Sequence, residues 1–291
     1  KSGEEISPHV LVMSATPIPR TLALIVYGDL DVSVLDELPP GRTPVRTRIV
    51  PEEKREGLYQ FIRAQAAAGF QTYVVCPLVG EQDLDDPDIR SAAQVQRELA
   101  QALSPLSVGL VHGRMKKNEK EETLGRFYAG ELNVLVATTV IEVGVNVPRA
   151  TVMVIEGADR FGLAQLHQLR GRVGRGASQS YCILVTDYKL SEDTRKRMEI
   201  MTTSNDGFEI AEADLKLRGP GDIEGTQQSG IAFDLKIANL ARDEQLLQYV
   251  REVAREVLES DPECSNPQNK VLWERLRMIK DMKNWNWGAI S

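Results

Sequence analysis

The segment from Gln165 to Gly176 carries the side chains of this chain that are best suited to phosphate chemistry. Its sequence fits the spacing Q-x-x-G-R-x-G-R, in which Gln168, Arg172 and Arg175 are separated by glycines. An arginine guanidinium donates two parallel hydrogen bonds to a phosphate and does not lose its charge. Because neighbouring cations repel each other, arginines repeated on one helical face predict a polyanion opposite them, such as a nucleoside triphosphate.

A solvated basic helix is the alternative, and an isolated R-x-x-R pair would favour it. The fixed spacing of one glutamine, two glycines and two arginines is more restrictive. The segment resembles motif VI of superfamily 2 helicases, and the run from Arg160 to Gly176 resembles the RecG family of DNA helicases. The resemblance implies that Arg172 and Arg175 are catalytic arginines that reach the γ-phosphate of ATP, and that Gln168 also contacts the nucleotide.

Length and composition limit the classes of protein that remain. A chain of 291 residues predicts about two domains. Hydrophobic residues at 42% and charged residues at 26% are typical of a soluble globular protein. The net charge of -7 indicates that any contact with nucleic acid uses a local basic track.

The sequence also lacks several signals. Cys76, Cys182 and Cys264 form no C-x-x-C pair, so neither a zinc site nor a disulfide framework is predicted. No apolar run approaches the ~20 residues that span a bilayer, and the first residues do not resemble a signal peptide. We therefore expect a cytoplasmic protein with no metal site and no membrane partner.

Residues 14 to 21 follow a predicted strand, His9 to Met13, and read Ser-Ala-Thr-Pro-Ile-Pro-Arg-Thr. A Ser-Ala-Thr sequence alone could equally be a turn. The longer string resembles motif III of the RecG family and of the transcription-repair coupling factor, which implies that Ser14 and Thr16 couple the nucleotide state to DNA. Neither G-x-x-x-x-G-K-[ST] nor D-E-x-H occurs in the sequence. We expect the C-terminal part of a longer motor, which does not hydrolyse ATP by itself.

The elements that must position these residues alternate between strand and helix. Three prolines and a glycine between Glu37 and Pro44 predict a lobe boundary near residue 40. Beyond it, apolar runs predict strands at 45–50, 72–76, 107–111, 133–137, 151–155 and 180–185, with helices at 51–68 and 91–103. This alternation of strands and helices predicts an α/β fold. The resemblance implies that the fold is a RecA-like parallel sheet flanked by helices, which is the second helicase lobe. The expected domains are a first-lobe remnant at 1–40, this lobe at 41–190 and a mainly helical region at 191–291.

Candidate DNA contacts follow two of the predicted strands. His112-Gly113-Arg114 comes after one strand, where the glycine lets a backbone approach and Arg114 supplies charge. Thr138 and Thr139 come after another, at a predicted helix start whose free N–H groups could bind a phosphate or could simply be capped. The resemblance to helicase motif V implies that both threonines face the DNA backbone.

The resemblance to motif V also implies that Gly144 and Asn146 border the nucleotide, with Asn146 at the position that meets the ribose. The family has an acidic residue at the position of Asn146, and an amide accepts a hydrogen bond from a hydroxyl less strongly than a carboxylate does. We therefore expect a weakened ribose contact at Asn146.

The alternation of strands and helices ends after Leu190. Helices are predicted at 192–203 and 207–216, followed by a loop with four glycines and a proline at 217–230. This block resembles the translocation motif shared by RecG and the coupling factor, which implies coupling roles for Arg218, Thr226 and Gln228. Gln227 stands where the family usually has a cation. A further amphipathic helix at 243–258 predicts a buried stripe that includes Leu246 and Val250.

The favoured hypothesis is the C-terminal part of a RecG-type, ATP-dependent double-stranded DNA translocase. Its implied cofactors are ATP and Mg²⁺, held mainly by a missing lobe, and its implied partners are branched or forked DNA and the missing N-terminal wedge and first motor lobe. Two alternatives stay open. One is a fragment of the transcription-repair coupling factor, and the other is a non-catalytic nucleic-acid-binding module.

Overall fold

Six parallel strands form one open sheet in the computed structural model, which describes residues 11, 13, 33, 35, 37, 41–77, 92–138, 147–187, 189–218 and 244–283. The strand order is β1-β6-β5-β2-β4-β3. The strands are β1 (Arg46–Pro51), β2 (Gln71–Cys76), β3 (Val108–Val111), β4 (Val134–Thr138), β5 (Ala150–Ile155) and β6 (Tyr181–Thr186). The predicted parallel α/β sheet is therefore confirmed.

Six described helices accompany the sheet: α1 (Arg55–Ala67), α2 (Ala92–Ala102), α3 (Lys117–Ala129), α4 (Leu163–Arg170), α5 (Glu192–Thr203) and α6 (Gly207–Arg218). Every residue of β2 and of β5 is buried. Their sequences are mostly apolar and rich in β-branched residues, as is typical of strands that are covered on both faces.

Each face of the sheet has its own apolar core. Leu58 and Ile62 of α1 and Leu99 of α2 pack on one face. The other core joins Phe127 of α3 and Leu166 of α4 to residues of the sheet. Met198 and Met201 of α5 are fully buried in this second core, and Ile210 of α6 joins them. Helices α5 and α6 are therefore part of the same compact unit as the sheet.

The second compact unit contains α7 (Glu244–Ser260) and α8 (Lys270–Lys283). Asp261, between them, accepts hydrogen bonds from the backbone N–H groups of Ser265 and Asn266 and from Trp273 Nε1 at 2.6 Å. Burial opposes the charged form, but these bonds outweigh it and lower the pKa of Asp261. The buried Trp273 and Asp261 thus fix the connection between the two helices.

The predicted burial of the α7 stripe is wrong for most of the side chains that the structure describes, although Val257 is half-buried. Leu246 is 55% exposed, Val250 is 52% exposed and Leu258 is 52% exposed. The apolar face of an amphipathic helix is buried only where another apolar surface lies against it, and the sequence pattern does not show whether one does. Of the predicted strand His9 to Met13, only Leu11 and Met13 are described, and neither lies in a strand.

Candidate functional site

The arginine segment follows a helix and does not form one, so the expectation that Arg172 and Arg175 share a helical face is wrong. Helix α4 ends at Arg170, with Gly171 as its C-cap. The next turn is closed by the Arg172 N–H, which donates to the Leu169 carbonyl at 3.0 Å, and by the Val173 N–H, which donates to the Arg170 carbonyl at 3.2 Å. Arg172 therefore lies in a tight turn after α4, and Arg175 follows it in irregular backbone.

Gly174 fixes the path of this turn. Its φ is +74°, in the left-handed region that favours glycine. A Cβ at this position would lie 2.7 Å from Cγ2 of Val45. The chain can pass this point only without a side chain, which explains the second glycine of the Q-x-x-G-R-x-G-R pattern.

We expect Gly174→Ala to destabilise the lobe by about 1–3 kcal/mol, because it adds backbone strain and a contact with a short, branched side chain. Urea denaturation followed by circular dichroism measures the change. Gly57→Ala is the matched control, since Gly57 lies in α1 with nothing within 4 Å of its added Cβ. The control should be neutral or stabilise by up to about 1 kcal/mol. Equal losses of stability at both positions would contradict the assignment.

Both candidate guanidinium groups are accessible, and neither is paired with a carboxylate in the described part of the chain. Arg172 is half-buried and Arg175 is exposed. Arg175 Nε donates to the Gly171 carbonyl at 3.4 Å. Among the residues that the structure describes, neither arginine has a carboxylate within 4.0 Å. An anion from outside the lobe can therefore take up the remaining donors.

The phenol of Tyr73 in β2 lies close enough to Arg172 and Arg175 for their charges to affect its pKa. Burial raises the pKa of Tyr73 to about 12, and the nearby charges of Arg175 and Arg172 act in the opposite direction. The phenol is therefore neutral at physiological pH and does not compete as an anion for the two guanidinium groups.

The arginine segment lies at the edge of the sheet where three parallel strands begin. The Gly174 Cβ position contacts Val45, which precedes β1, and lies 3.8 Å from Ser180, which precedes β6. Gly176 approaches the carbonyl of Pro148, which precedes β5. The segment is thus held by the amino-terminal ends of β1, β5 and β6.

The candidate DNA contacts lie at the opposite edge. Strands β3 and β4 are neighbours, with Val111 paired to Ala137. The exposed Arg114 follows β3, and Thr138 is the last residue of β4. Thr138 Oγ1 is inaccessible to solvent and has no hydrogen-bond partner among the described residues. The fold brings these two predicted residues together at the carboxyl-terminal edge, away from Arg172 and Arg175.

The other predicted site residues are only partly described. Gln168 is exposed on α4 and makes contacts within the structure. Arg218 is the last residue of α6, and its side chain lies outside the described part. The remaining predicted residues also lie outside it: Ser14, Thr16, Thr139, Gly144, Asn146, Thr226 and Gln228.

A buried ion pair that the sequence did not indicate anchors the approach to α4. Arg55 of α1 binds Glu156, directly after β5, through two hydrogen bonds of 2.8 and 2.7 Å. Its Nη2 also lies 2.7 Å from Glu52. Burial disfavours the charge, but the hydrogen bonds and charges of Glu156 and Glu52 outweigh it, and the pKa of Arg55 rises. The sequence held one signal for this pair, which was the acidic Glu156 directly after the apolar strand β5.

Two further arginines hold backbone carbonyls around the arginine segment. Arg197 of α5 donates to the carbonyls of Phe161 at 3.2 Å and Asp159 at 3.1 Å, just before α4. Arg170 donates to the carbonyl of Ser204 at 2.7 Å. No spacing in the sequence could have identified these bonds, because their acceptors are main-chain atoms of distant residues.

The residues present fit the triphosphate end of a nucleotide, because two accessible guanidinium groups stand without carboxylate partners in the described part. In the same part, no group of three His, Cys, Asp or Glu side chains could hold a metal ion. No helix among the described residues is long and apolar enough to cross a membrane.

Comparisons with known proteins agree with this geometry. Residues 53–177 match the family described as the helicase conserved C-terminal domain. Residues 204–291 match the family described as ATP-dependent DNA helicase RecG, domain 3, C-terminal. The sheet and its arginine segment thus define the second motor lobe of a superfamily 2 helicase.

Comparison with individual proteins shows which superfamily 2 helicases this chain is similar to. ATP-dependent DNA helicase RecG of Synechocystis sp. is 50% identical over 267 residues, covering 91% of this chain and 32% of that protein. RecG of Escherichia coli strain K12 is 50% identical over 269 residues, covering 92% of this chain and 38% of that protein. A solved structure of RecG bound to a three-way DNA junction is 47% identical with a TM-score of 0.63, covering 81% of this chain and 30% of that one.

The chain belongs to the RecG family of DNA helicases. It corresponds to a C-terminal portion and spans about a third of the length of these relatives. Assignment to a transcription-repair coupling factor is not favoured.

Proposed function

We propose that the chain is the second motor lobe and coupling region of an ATP-dependent translocase that remodels branched or forked double-stranded DNA. The observation that carries the proposal is the pair of accessible guanidinium groups of Arg172 and Arg175, which have no carboxylate partner among the described residues and follow a path fixed by Gly174. Paired arginines in this state suit the phosphoryl group of a nucleotide held by another lobe.

ATP would supply the phosphoryl group whose transfer to water drives movement. Arg172 and Arg175 would bind its γ-phosphate and stabilise the charge that spreads over the phosphoryl oxygens. Gln168, Gly144 and Asn146 would border the nucleotide. Mg²⁺ and the remaining phosphate contacts would come from the first lobe.

DNA would bind at the opposite edge of the sheet. Arg114 would contact a backbone phosphate, and Thr139 would donate a hydroxyl hydrogen bond to a phosphate oxygen. The Thr138 hydroxyl is inaccessible to solvent in this structure, so it would do the same only once it becomes exposed. The separation of the two edges supports this division, because the arginine segment and Arg114 cannot serve the same phosphate. Coupling of ATP hydrolysis to movement along DNA would depend on Ser14, Thr16, Arg218, Thr226 and Gln228.

The partner DNA is proposed to be branched. One relative was solved with a three-way DNA junction, and this chain is 47% identical to it. We also propose that the N-terminal wedge and first motor lobe are joined to this chain, and that the protein acts in the cytoplasm.

The direct test is DNA-dependent ATP hydrolysis and strand displacement by the complete enzyme on forked, linear duplex and single-stranded DNA. The proposal expects both activities to be highest on the fork. An enzyme that binds the fork but hydrolyses no ATP in its presence would instead favour a non-catalytic nucleic-acid-binding module.

Arg114→Ala should weaken binding to every DNA tested and reduce the slope of log K against log salt by about 1, because one phosphate contact is lost. Fluorescence anisotropy over a series of salt concentrations measures both quantities. Arg126→Ala is a suitable control, because Arg126 is an exposed arginine of α3 that pairs with Glu131. A salt slope that is the same in Arg114→Ala and in wild type would contradict the phosphate contact.

A further inference from the structure

The loop after β3, residues 112–116, carries positive charge that no described carboxylate neutralises. Arg114 and Lys116 are both exposed. Within the described ranges, neither side chain has a carboxylate within 4.0 Å. The whole chain has a net charge of -7, so these cations form a local basic surface on an acidic protein. Such a surface suits a polyanion that binds from outside.

Lys120 adds a third cation to this loop, although it belongs to α3. Its Nζ donates to the Gly113 carbonyl at 2.9 Å, which places the ammonium beside the backbone of Arg114. Lys120 is half-buried, but this hydrogen bond lies at the surface. An ammonium has three N–H donors. In the described part of the chain, the Gly113 carbonyl takes one of them, and the other two remain for a ligand.

The nearest glutamates of α3 bind other groups. Glu119 Oε2 accepts a hydrogen bond from the Lys116 N–H at 3.3 Å, and Glu121 lies 3.8 Å from Nζ of Lys117. No carboxylate of the described residues lies within 4.0 Å of Lys120 Nζ. The Lys120 ammonium is thus paired with a neutral carbonyl. Its charge is therefore left for an anion outside the protein.

Other contacts hold the backbone of the loop. The Met115 N–H donates to the His112 carbonyl at 3.2 Å and closes a turn. The Met115 side chain packs against the apolar core of that face. The main-chain N–H of Lys120 donates to the Lys116 carbonyl at 3.1 Å, so the first turn of α3 closes without the Lys120 side chain. The ammonium is therefore available for binding.

We propose that Lys120 is a further ligand for the DNA backbone and binds a phosphate next to the one that Arg114 contacts. The Gly113 carbonyl orients the ammonium before DNA binds, so less side-chain freedom is lost on binding. A lysine binds phosphate as a point charge and reads no sequence, which suits an enzyme that moves along DNA. The inference rests on the proposed function and adds a helix residue to its DNA-binding edge.

The test is the salt dependence of fork binding by the complete enzyme without nucleotide, measured by fluorescence anisotropy. Lys120→Gln removes the charge but keeps a side-chain N–H donor. It should reduce the slope of log K against log salt by about 1, because one phosphate contact is lost. Lys120→Arg keeps the charge and should keep the wild-type slope. The double variant Arg114→Ala/Lys120→Gln should reduce the slope by about 2, since each residue contacts its own phosphate.

Lys117→Gln is the matched control, because it removes a lysine charge from the first turn of the same helix, where Lys117 pairs with Glu121. It should leave the slope unchanged. A wild-type slope in Lys120→Gln, whatever its affinity, or an equal fall of the slope in Lys120→Arg would overturn the inference. A Lys120→Gln enzyme that does not fold would overturn it too, since the side chain would then be structural. Wild-type slopes in both Arg114→Ala and Lys120→Gln would instead overturn the proposed DNA-binding edge.

Discussion

Arg175→Ala in the complete enzyme should lower the rate of DNA-stimulated ATP hydrolysis by at least about 10³-fold, the effect of removing an arginine finger. The guanidinium is exposed, its one hydrogen bond in the described structure is a 3.4 Å contact to the Gly171 carbonyl, and no described carboxylate neutralises it. Its removal should therefore cost little stability. DNA affinity should stay nearly unchanged, because the candidate DNA contacts lie at the opposite edge of the sheet.

Steady-state hydrolysis with saturating forked DNA, together with DNA binding by anisotropy, measures the two effects. Arg195→Ala is the matched control, since it removes one exposed arginine from α5 of the same unit and should leave both quantities unchanged. Arg175→Lys should recover only part of the rate, because the ammonium lacks the planar fork. Hydrolysis by Arg175→Ala at the wild-type rate would refute the catalytic role.

Arg55→Ala should destabilise the lobe by about 3–5 kcal/mol, because it leaves the buried Glu156 carboxylate without its partner. The Glu156 side chain is 8% exposed and that of Arg55 is 13% exposed, so solvent replaces little of the lost interaction. Urea denaturation of the 291-residue chain, followed by circular dichroism, measures the change.

The double variant Arg55→Ala/Glu156→Ala tests whether the unpaired Glu156 carboxylate causes the loss of stability in Arg55→Ala. It should be more stable than Arg55→Ala, because the second substitution removes the uncompensated charge. Arg126→Ala breaks an ion pair whose side chains are 51% and 60% exposed, and it should cost less than about 1 kcal/mol. A double variant less stable than Arg55→Ala would show that Glu156 contributes mainly through other contacts.

The sheet could be predicted from the sequence because its strands are local apolar runs separated by turn residues. The predicted helix at 192–203 matches α5, and the strand predicted at 151–155 differs from β5 by one residue. Periodicity also identified α7 but could not predict its exposed face, which depends on what lies opposite the helix.

The path of the arginine segment was harder to predict. Its spacing is compatible with a helix, but Gly171 ends α4 and the left-handed Gly174 turns the chain away. The long-range side-chain bonds of the lobe were harder still to predict, because Arg55 and Glu156 are 101 positions apart. Arg170 and the Ser204 carbonyl are 34 apart, and a main-chain acceptor leaves no mark in the sequence.

The most direct test of the account is a structure of the complete enzyme with forked DNA, ADP and aluminium fluoride, which mimics the transferring phosphoryl group. The account predicts guanidinium nitrogens of both Arg172 and Arg175 at about 2.7–2.9 Å from the fluoride or phosphate atoms, the length of a charge-assisted hydrogen bond. Guanidinium groups turned away from the nucleotide and paired with carboxylates of their own lobe would contradict it.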